Sequence, residues 1–262
     1  MTVTPAEQQA IPTAARRLAT SERTRIPCAP VRDLIGDDIA TAYRVQSINA
    51  ENRLASRVVG RKIGLTSPAA QDRVGASLPH FGTLFDDMDC TDEKTITSDR
   101  LLQPRIEAEI AIVLSHDIVA PITAEQAPSF VTYMRAALEI VDSRINEWDI
   151  SLADTVADNA SSGLYVLGGY CGIEDAPDLD EVQMSMAEDG IPVSRGTGSD
   201  CWGSPWNALT WLANTALEHG TRLRTYDIVL TGALGPAVTV KPGATYTATI
   251  SGIGSVTAGF SE

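Results

Sequence analysis

Two glutamates one residue apart, Glu107 and Glu109, stand in an apolar run, Arg105-Ile-Glu-Ala-Glu-Ile-Ala-Ile-Val-Leu114. In an extended strand alternate side chains share a face, so the pair projects from one side about 7 Å apart at the backbone. Ile106, Ala108, Ile110 and Ile112 fill the opposite, core-facing side. Two such carboxylates repel each other and resist desolvation unless a cation or a shared proton compensates. A solvated edge strand is the plainer reading, but the next residues on that face, Ala111 and Val113, are not polar. A third carboxylate, Glu139, lies within Ala136-Ala-Leu-Glu-Ile-Val141, where a buried acid needs a ligand or a partner such as Arg144 or Arg135. Three carboxylates, with the remaining positions left to water and substrate, suit Mg²⁺ or Mn²⁺, whereas zinc would recruit His or Cys. Lys62 sits in an apolar strand candidate. It is either a snorkelling side chain at a sheet edge or, beside the glutamates, a general acid or base or a clamp for a substrate carboxylate.

The elements that must position these groups follow from turn and cap signals. Pro12, Pro27 and Pro30 interrupt the first thirty residues, predicting a first helix and an extended connection. Gly36-Asp-Asp caps a second helix running to about Arg57. Residues 58–65 read as a short strand, and Ser67-Pro68 opens a helix that Gly75 ends. Residues 79–85 read as a loop and short strand, and 86–100 as an acidic surface excursion. Residues 123–134 have helical character, and the run holding Glu139 fits either a helix end or a buried strand, since periodicity does not separate the two at this length. A short helix over 149–159, a strand over 163–168, a helix over 206–219 opened by Ser204-Pro205 and closed by Gly220, and β-rich stretches over 227–260 complete the chain. The expected organisation is a helical N-terminal portion, 1–57, and a β-rich portion, 58–262, in one compact unit.

At 262 residues and 44% hydrophobic, the chain has enough material for one substantial core. A formal net charge of −14 argues against nucleic acid or anionic lipid as partner, and an anionic substrate would need a local device such as a metal. No apolar stretch approaches the ~20 residues of a membrane span and no signal-peptide pattern opens the sequence, so a cytoplasmic location is expected. Cys28, Cys90, Cys171 and Cys201 have no paired short spacing, and His80, His116 and His219 are equally dispersed. The glycines of 252–259 fail the dinucleotide-binding spacing.

Taken together, Lys62-Ile-Gly-Leu-Thr-Ser67, Phe81-Gly-Thr-Leu-Phe85, Pro104-Arg-Ile-Glu-Ala-Glu-Ile-Ala111, Ala137-Leu-Glu-Ile-Val-Asp-Ser-Arg144, Asp154-Thr-Val-Ala-Asp-Asn-Ala-Ser-Ser-Gly163 and Leu230-Thr-Gly-Ala-Leu-Gly235 resemble the 2-keto-4-pentenoate hydratases. With the 4-oxalocrotonate decarboxylases, these belong to the fumarylacetoacetate hydrolase superfamily. The resemblance runs in order from about Arg32 to the C-terminus. It implies an α+β fold, a mixed β-roll with a helical N-terminal portion, assembled as a homo-oligomer, a pentamer or decamer, and open to complex formation with a pathway enzyme. It also implies that Glu107, Glu109 and Glu139 hold Mg²⁺ or Mn²⁺, that Lys62 lies near a small 2-oxo acid substrate, and that Asn159, Ser161 and Gly163 belong to the active-site wall.

One position departs from the pattern. The hydratases usually read Pro-Asp-Phe-Gly where this chain reads Pro79-His80-Phe81-Gly82. Histidine can shuttle protons near neutral pH, so His80 is a catalytic candidate. The expected reaction is addition of water to a 2-hydroxy-dienoate or 2-oxo-enoate. Decarboxylation of a related oxo acid is the alternative, and a non-catalytic partner subunit is a third reading that rests on His80 alone.

Overall fold

The computed structural model describes residues 5–67, 71–72 and 77–262. Three helices come first: α1 (Pro5–Thr24), α2 (Arg32–Ile35) and α3 (Ile39–Asn52). Helix α1 continues through Pro12. Its face of Ile11, Ala14, Ala15 and Leu18 packs with Ala42 and Val45 of α3, and this burial outweighs the backbone hydrogen bond that a proline forfeits. Asp38 caps α3 by accepting from Thr41 N at 3.0 Å. The helix foreseen from Ser67-Pro68 to Gly75 falls largely outside the described residues.

The strands build two sheets. The larger contains β1 (Val58–Gly64), β2 (His80–Phe85), β3 (Arg105–Leu114), β4 (Val131–Val141), β5 (Ser162–Leu167), β6 (Cys171–Gly172), β9 (Ile228–Leu230) and β10 (Val238–Thr239). Its main path is β2-β1-β9-β3-β4-β5, with β10 on β3 and β6 on β4. The β1–β9 pair is parallel and the others antiparallel, so the sheet is mixed. The smaller sheet, β12-β11-β7-β8, joins β7 (Gln183–Glu188), β8 (Ile191–Thr197), β11 (Thr245–Ile250) and β12 (Gly254–Gly259). Helix α4 (Leu152–Ala157) packs with the N-terminal helices, and α5 (Pro205–Glu218) with the main core.

Alternation along β3 divides its residues between two environments. Ile106, Ala108, Ile110 and Ile112 enter the main core with Leu138 and Ile140 of β4, as the sequence predicts. Ala111 and Ala137 face the other way, in a smaller cluster with Leu84, Tyr165 and Leu230. The carboxylates of β3 share that second face.

Two local expectations are corrected and one left open is decided. Residues 123–134 are not helical: a short 3-10 turn, Ala127–Phe130, gives way to β4 at Val131. The run holding Glu139 is therefore a buried strand, in register with β3 over most of its length. The acidic stretch 86–100 is more than a surface excursion, because Met88, Cys90 and Ile96 are buried beneath its charged residues. No helix among the described residues is long and apolar enough to cross a membrane.

Candidate active site

In the antiparallel β3–β4 pair, Glu107 lies directly opposite Glu139 and Glu109 opposite Ala137. Like charges facing each other across strands destabilise a sheet, so this register needs compensation. The three carboxylates each offer an oxygen within 4.8 Å of the others, and Glu109 and Glu139 are buried. Part of the compensation comes from β1. Lys62 is only 2% exposed, and its Nζ stands 3.1 Å from Glu139 Oε1. A snorkelling lysine is thereby excluded, and the buried partner of Glu139 is neither arginine weighed from the sequence. Arg144 pairs with Asp158, while Arg135 donates to Gly168 O and stacks over Tyr170.

One lysine does not satisfy this many carboxylate oxygens. Glu109 Oε2 accepts a 2.8 Å bond from Gly232 N, but among the described residues Glu109 Oε1 and both Glu139 oxygens find no well-aligned donor, and Lys62 meets Glu139 as an ion pair. Burial, then the charges of Glu139 and Glu107, push the Glu109 carboxyl well above the usual range. Burial also raises Glu139, against the pull of Lys62. Burial depresses Lys62, yet the attraction of Glu139, Glu107 and Glu109 overcomes it and raises the ammonium above its ordinary value. Buried, under-satisfied oxygens of this kind fit a hard divalent cation, which takes oxygen ligands and neutralises them together.

Gly232 can donate to Glu109 because it lacks a side chain. Its φ is +109°, and a Cβ there would lie 2.4 Å from Thr66. Neither Gly232 nor this contact was singled out from the sequence as part of the site, although Gly232 falls in the motif beginning at Leu230.

His80 opens β2 opposite Gly64, on the same sheet face as Lys62. Its ring occupies the space a Gly64 side chain would fill, since a Cβ would come 2.6 Å from His80 Cε1. Burial, then the charge of Lys62, depress the imidazole to about 3, so the ring is neutral at physiological pH. Its Nε2 lies 3.5 Å from Thr155 Oγ1, and Thr155 Oγ1 lies 3.3 Å from Ser161 Oγ. His80 Nδ1 is buried and has no partner among the described residues.

The segment that the resemblance assigns to the active-site wall is a constrained turn. Asn159, Ala160 and Ser161 take φ of 53°, 55° and 54°, three successive non-glycine residues in the left-handed region. Side chains around them hold it there. Asn159 spends both polar atoms on Thr83, accepting from its N at 2.7 Å and donating to its O at 2.9 Å. Arg144 ties Asp158 to Ser162 O, and burial raises Asp158 to about 6 in spite of that arginine. Gly163 packs against β4, where a Cβ would meet Ile140 O at 2.5 Å. Of the three expected wall residues, Ser161 thus reaches the His80 chain through Thr155, while Asn159 and Gly163 fix the backbone around it. Thr155 was not picked out individually from the sequence, although it lies in the Asp154–Gly163 motif. A threonine inside a short helix carries no signal of the hydroxyl chain it joins.

Three clustered carboxylates and a buried lysine on one face of a mixed sheet define a site of the kind that can hold a divalent ion. The chain belongs to the fumarylacetoacetate hydrolase family, whose C-terminal domain model matches residues 86–261. It is 48% identical over 252 residues to a 2-keto-4-pentenoate hydratase of Paraburkholderia phymatum, covering 95% of this chain and 96% of that protein. A 2-hydroxyhexa-2,4-dienoate hydratase of Comamonas testosteroni is 36% identical over 262 residues, with 98% and 99% covered. Among solved structures, the 4-oxalocrotonate decarboxylase of Pseudomonas putida G7, complexed with magnesium and adipate, superposes with a TM-score of 0.92 at 29% identity over 99% of this chain and 100% of that one.

Proposed function

We propose that this chain is a metal-dependent hydro-lyase that converts a small 2-hydroxy-dienoate into a 4-hydroxy-2-oxo acid, as in the breakdown of aromatic compounds. The similarity to hydratases along nearly the whole chain supports the reaction class. The observation that carries the reading is the face on which three clustered carboxylates, two of them buried with unpartnered oxygens among the described residues, meet Lys62 and a neutral His80. Glu107, Glu109 and Glu139 would hold the divalent ion, Mg²⁺ or Mn²⁺. When bound, the ion would neutralise the substrate carboxylate and polarise the neighbouring 2-oxygen.

The protein's own groups supply the rest. Lys62, paired with Glu139 and kept cationic, adds positive charge beside an anionic substrate and stabilises negative charge that develops on it. The neutral His80 can accept a proton at one nitrogen while giving one from the other, so it moves protons in a buried site without acquiring charge. Ser161 presents a hydroxyl on the wall, and Asn159 and Gly163 set that wall's position. The reading includes a homo-oligomer in the cytoplasm.

Purified protein with Mg²⁺ is expected to bleach the diene absorbance of 2-hydroxypenta-2,4-dienoate and form 4-hydroxy-2-oxopentanoate. No turnover across a panel of such dienoates, with metal shown to be bound, would reject the hydratase reading. The likeness to the decarboxylase favours a second reading on the same residues. CO2 release from 2-oxo-hex-3-enedioate in place of dienoate hydration would select it.

A further inference from the structure

We propose that His80, Thr155 and Ser161 form a neutral proton relay, with Thr155 as the middle member that lets His80 exchange tautomer in step with Ser161. The relay rests on the hydratase reading and adds a positioning residue to it. Three buried groups stand in sequence, with 3.5 Å from His80 Nε2 to Thr155 Oγ1 and 3.3 Å from there to Ser161 Oγ. Such contacts are long, as catalytic hydrogen bonds often are before substrate is bound. A hydroxyl has one hydrogen and can both donate and accept, so the chain must run in one of two directions. The buried Nδ1, which has no partner among the described residues, selects the resting one. A buried N–H with nothing to receive it is the costlier arrangement, so the ring proton belongs on Nε2 and the Nδ1 lone pair is open. His80 Nε2–H then donates to Thr155, Thr155 donates to Ser161, and Ser161 retains a proton to give.

This order suits a reaction that takes up one proton at C5 and then another at C3. As the dienol becomes a ketone, its 2-hydroxyl proton passes to Nδ1, Nε2 passes its proton to Thr155, Thr155 to Ser161, and Ser161 to C5. The donors and acceptors are now reversed. Water adding at C4 returns a proton to Ser161, Ser161 passes one to Thr155, Thr155 to Nε2, and Nδ1–H delivers one to C3. Two protons enter and two leave, and each group ends as it began. Among the described residues, Gly64 and Lys62 of β1 and Thr155 of α4 face the ring, and Lys62 carries a charge. Its charge and the burial oppose an imidazolium, which is why the relay works through tautomers.

The chain has three histidines, so the His80 ring signals can be assigned with His116→Gln and His219→Gln variants. Carbon and nitrogen NMR of the Mg²⁺-loaded protein should show His80 neutral with its proton on Nε2. Thr155→Val, close in shape and lacking the hydroxyl, should shift the ring away from that tautomer and lower kcat by about tenfold or more with KM within about twofold. Thr155→Ser should restore both. A His80 imidazolium, a resting Nδ1–H ring, or a Thr155→Val protein with wild-type kcat would overturn the relay. Failure of the wild type to turn over any dienoate counts against the hydratase reading alone, and an unchanged ring spectrum in Thr155→Val then overturns the relay separately.

Discussion

At the scale of single residues, the chemistry depends on groups placed where they are least comfortable. Glu139 and Lys62 are 1% and 2% exposed, and each compensates the other. Removing one member of a buried pair typically costs about 3–5 kcal/mol, because the remaining charge has no partner. Lys62→Met should therefore abolish turnover and lower the thermal midpoint of chelator-treated protein. Saturating Mg²⁺ should recover much of the lost midpoint, since the ion takes over neutralisation of Glu139, and recover none of the activity. Thermal melts with and without metal, run beside the dienoate assay, check both halves. His80 shows the opposite strategy. A group that stays neutral needs no counter-charge, and Gly64 makes room for its ring.

At the scale of elements, register does the work. Strand β3 directs its isoleucines into the core and its glutamates to the other face, and pairing with β4 brings Glu139 opposite Glu107. The β3 half of this was legible in the sequence, because alternation is written into ten consecutive residues. The β4 half was legible only in part, since the run holding Glu139 fitted a helix end as well as a buried strand. Residues 123–134 suggested a helix, but Val131-Thr-Tyr-Met134 is the start of a strand whose β-branched and aromatic residues suit the pleated sheet it pairs with. The carboxylate pairing itself is a property of two strands and is invisible in either. The same holds for the wall turn: Asn159 and Gly163 were recognisable as motif positions, but what they bond and pack against comes from β2 and β4. Gly163→Ala should force a methyl to within 2.5 Å of Ile140 O. The strain is expected to cost about 1–3 kcal/mol and displace the Ser161 turn. A lowered denaturation midpoint together with lost activity would bear this out, and a variant as stable and active as wild type would show that the turn tolerates the displacement.

At the scale of the whole molecule, the helices and the sheets serve one face. Helix α4 carries Thr155 toward His80 and is anchored through Asp154, which accepts from Val31 N at 2.7 Å and Arg32 N at 2.8 Å and so joins the site to the N-terminal helices. A net charge of −14 makes the chain a poor attractor of small anions, so a bound cation is the natural means of drawing a 2-oxo acid to this face. The proposed hydration therefore needs one divalent ion, held by Glu107, Glu109 and Glu139. The most direct test is to titrate Mg²⁺ into chelator-treated protein while following the loss of 2-hydroxypenta-2,4-dienoate absorbance. Activity should rise from zero to a plateau at one ion per chain and stay at zero in Glu109→Gln. Full turnover in the presence of chelator, or wild-type activation of Glu109→Gln by the same metal concentration, would contradict it.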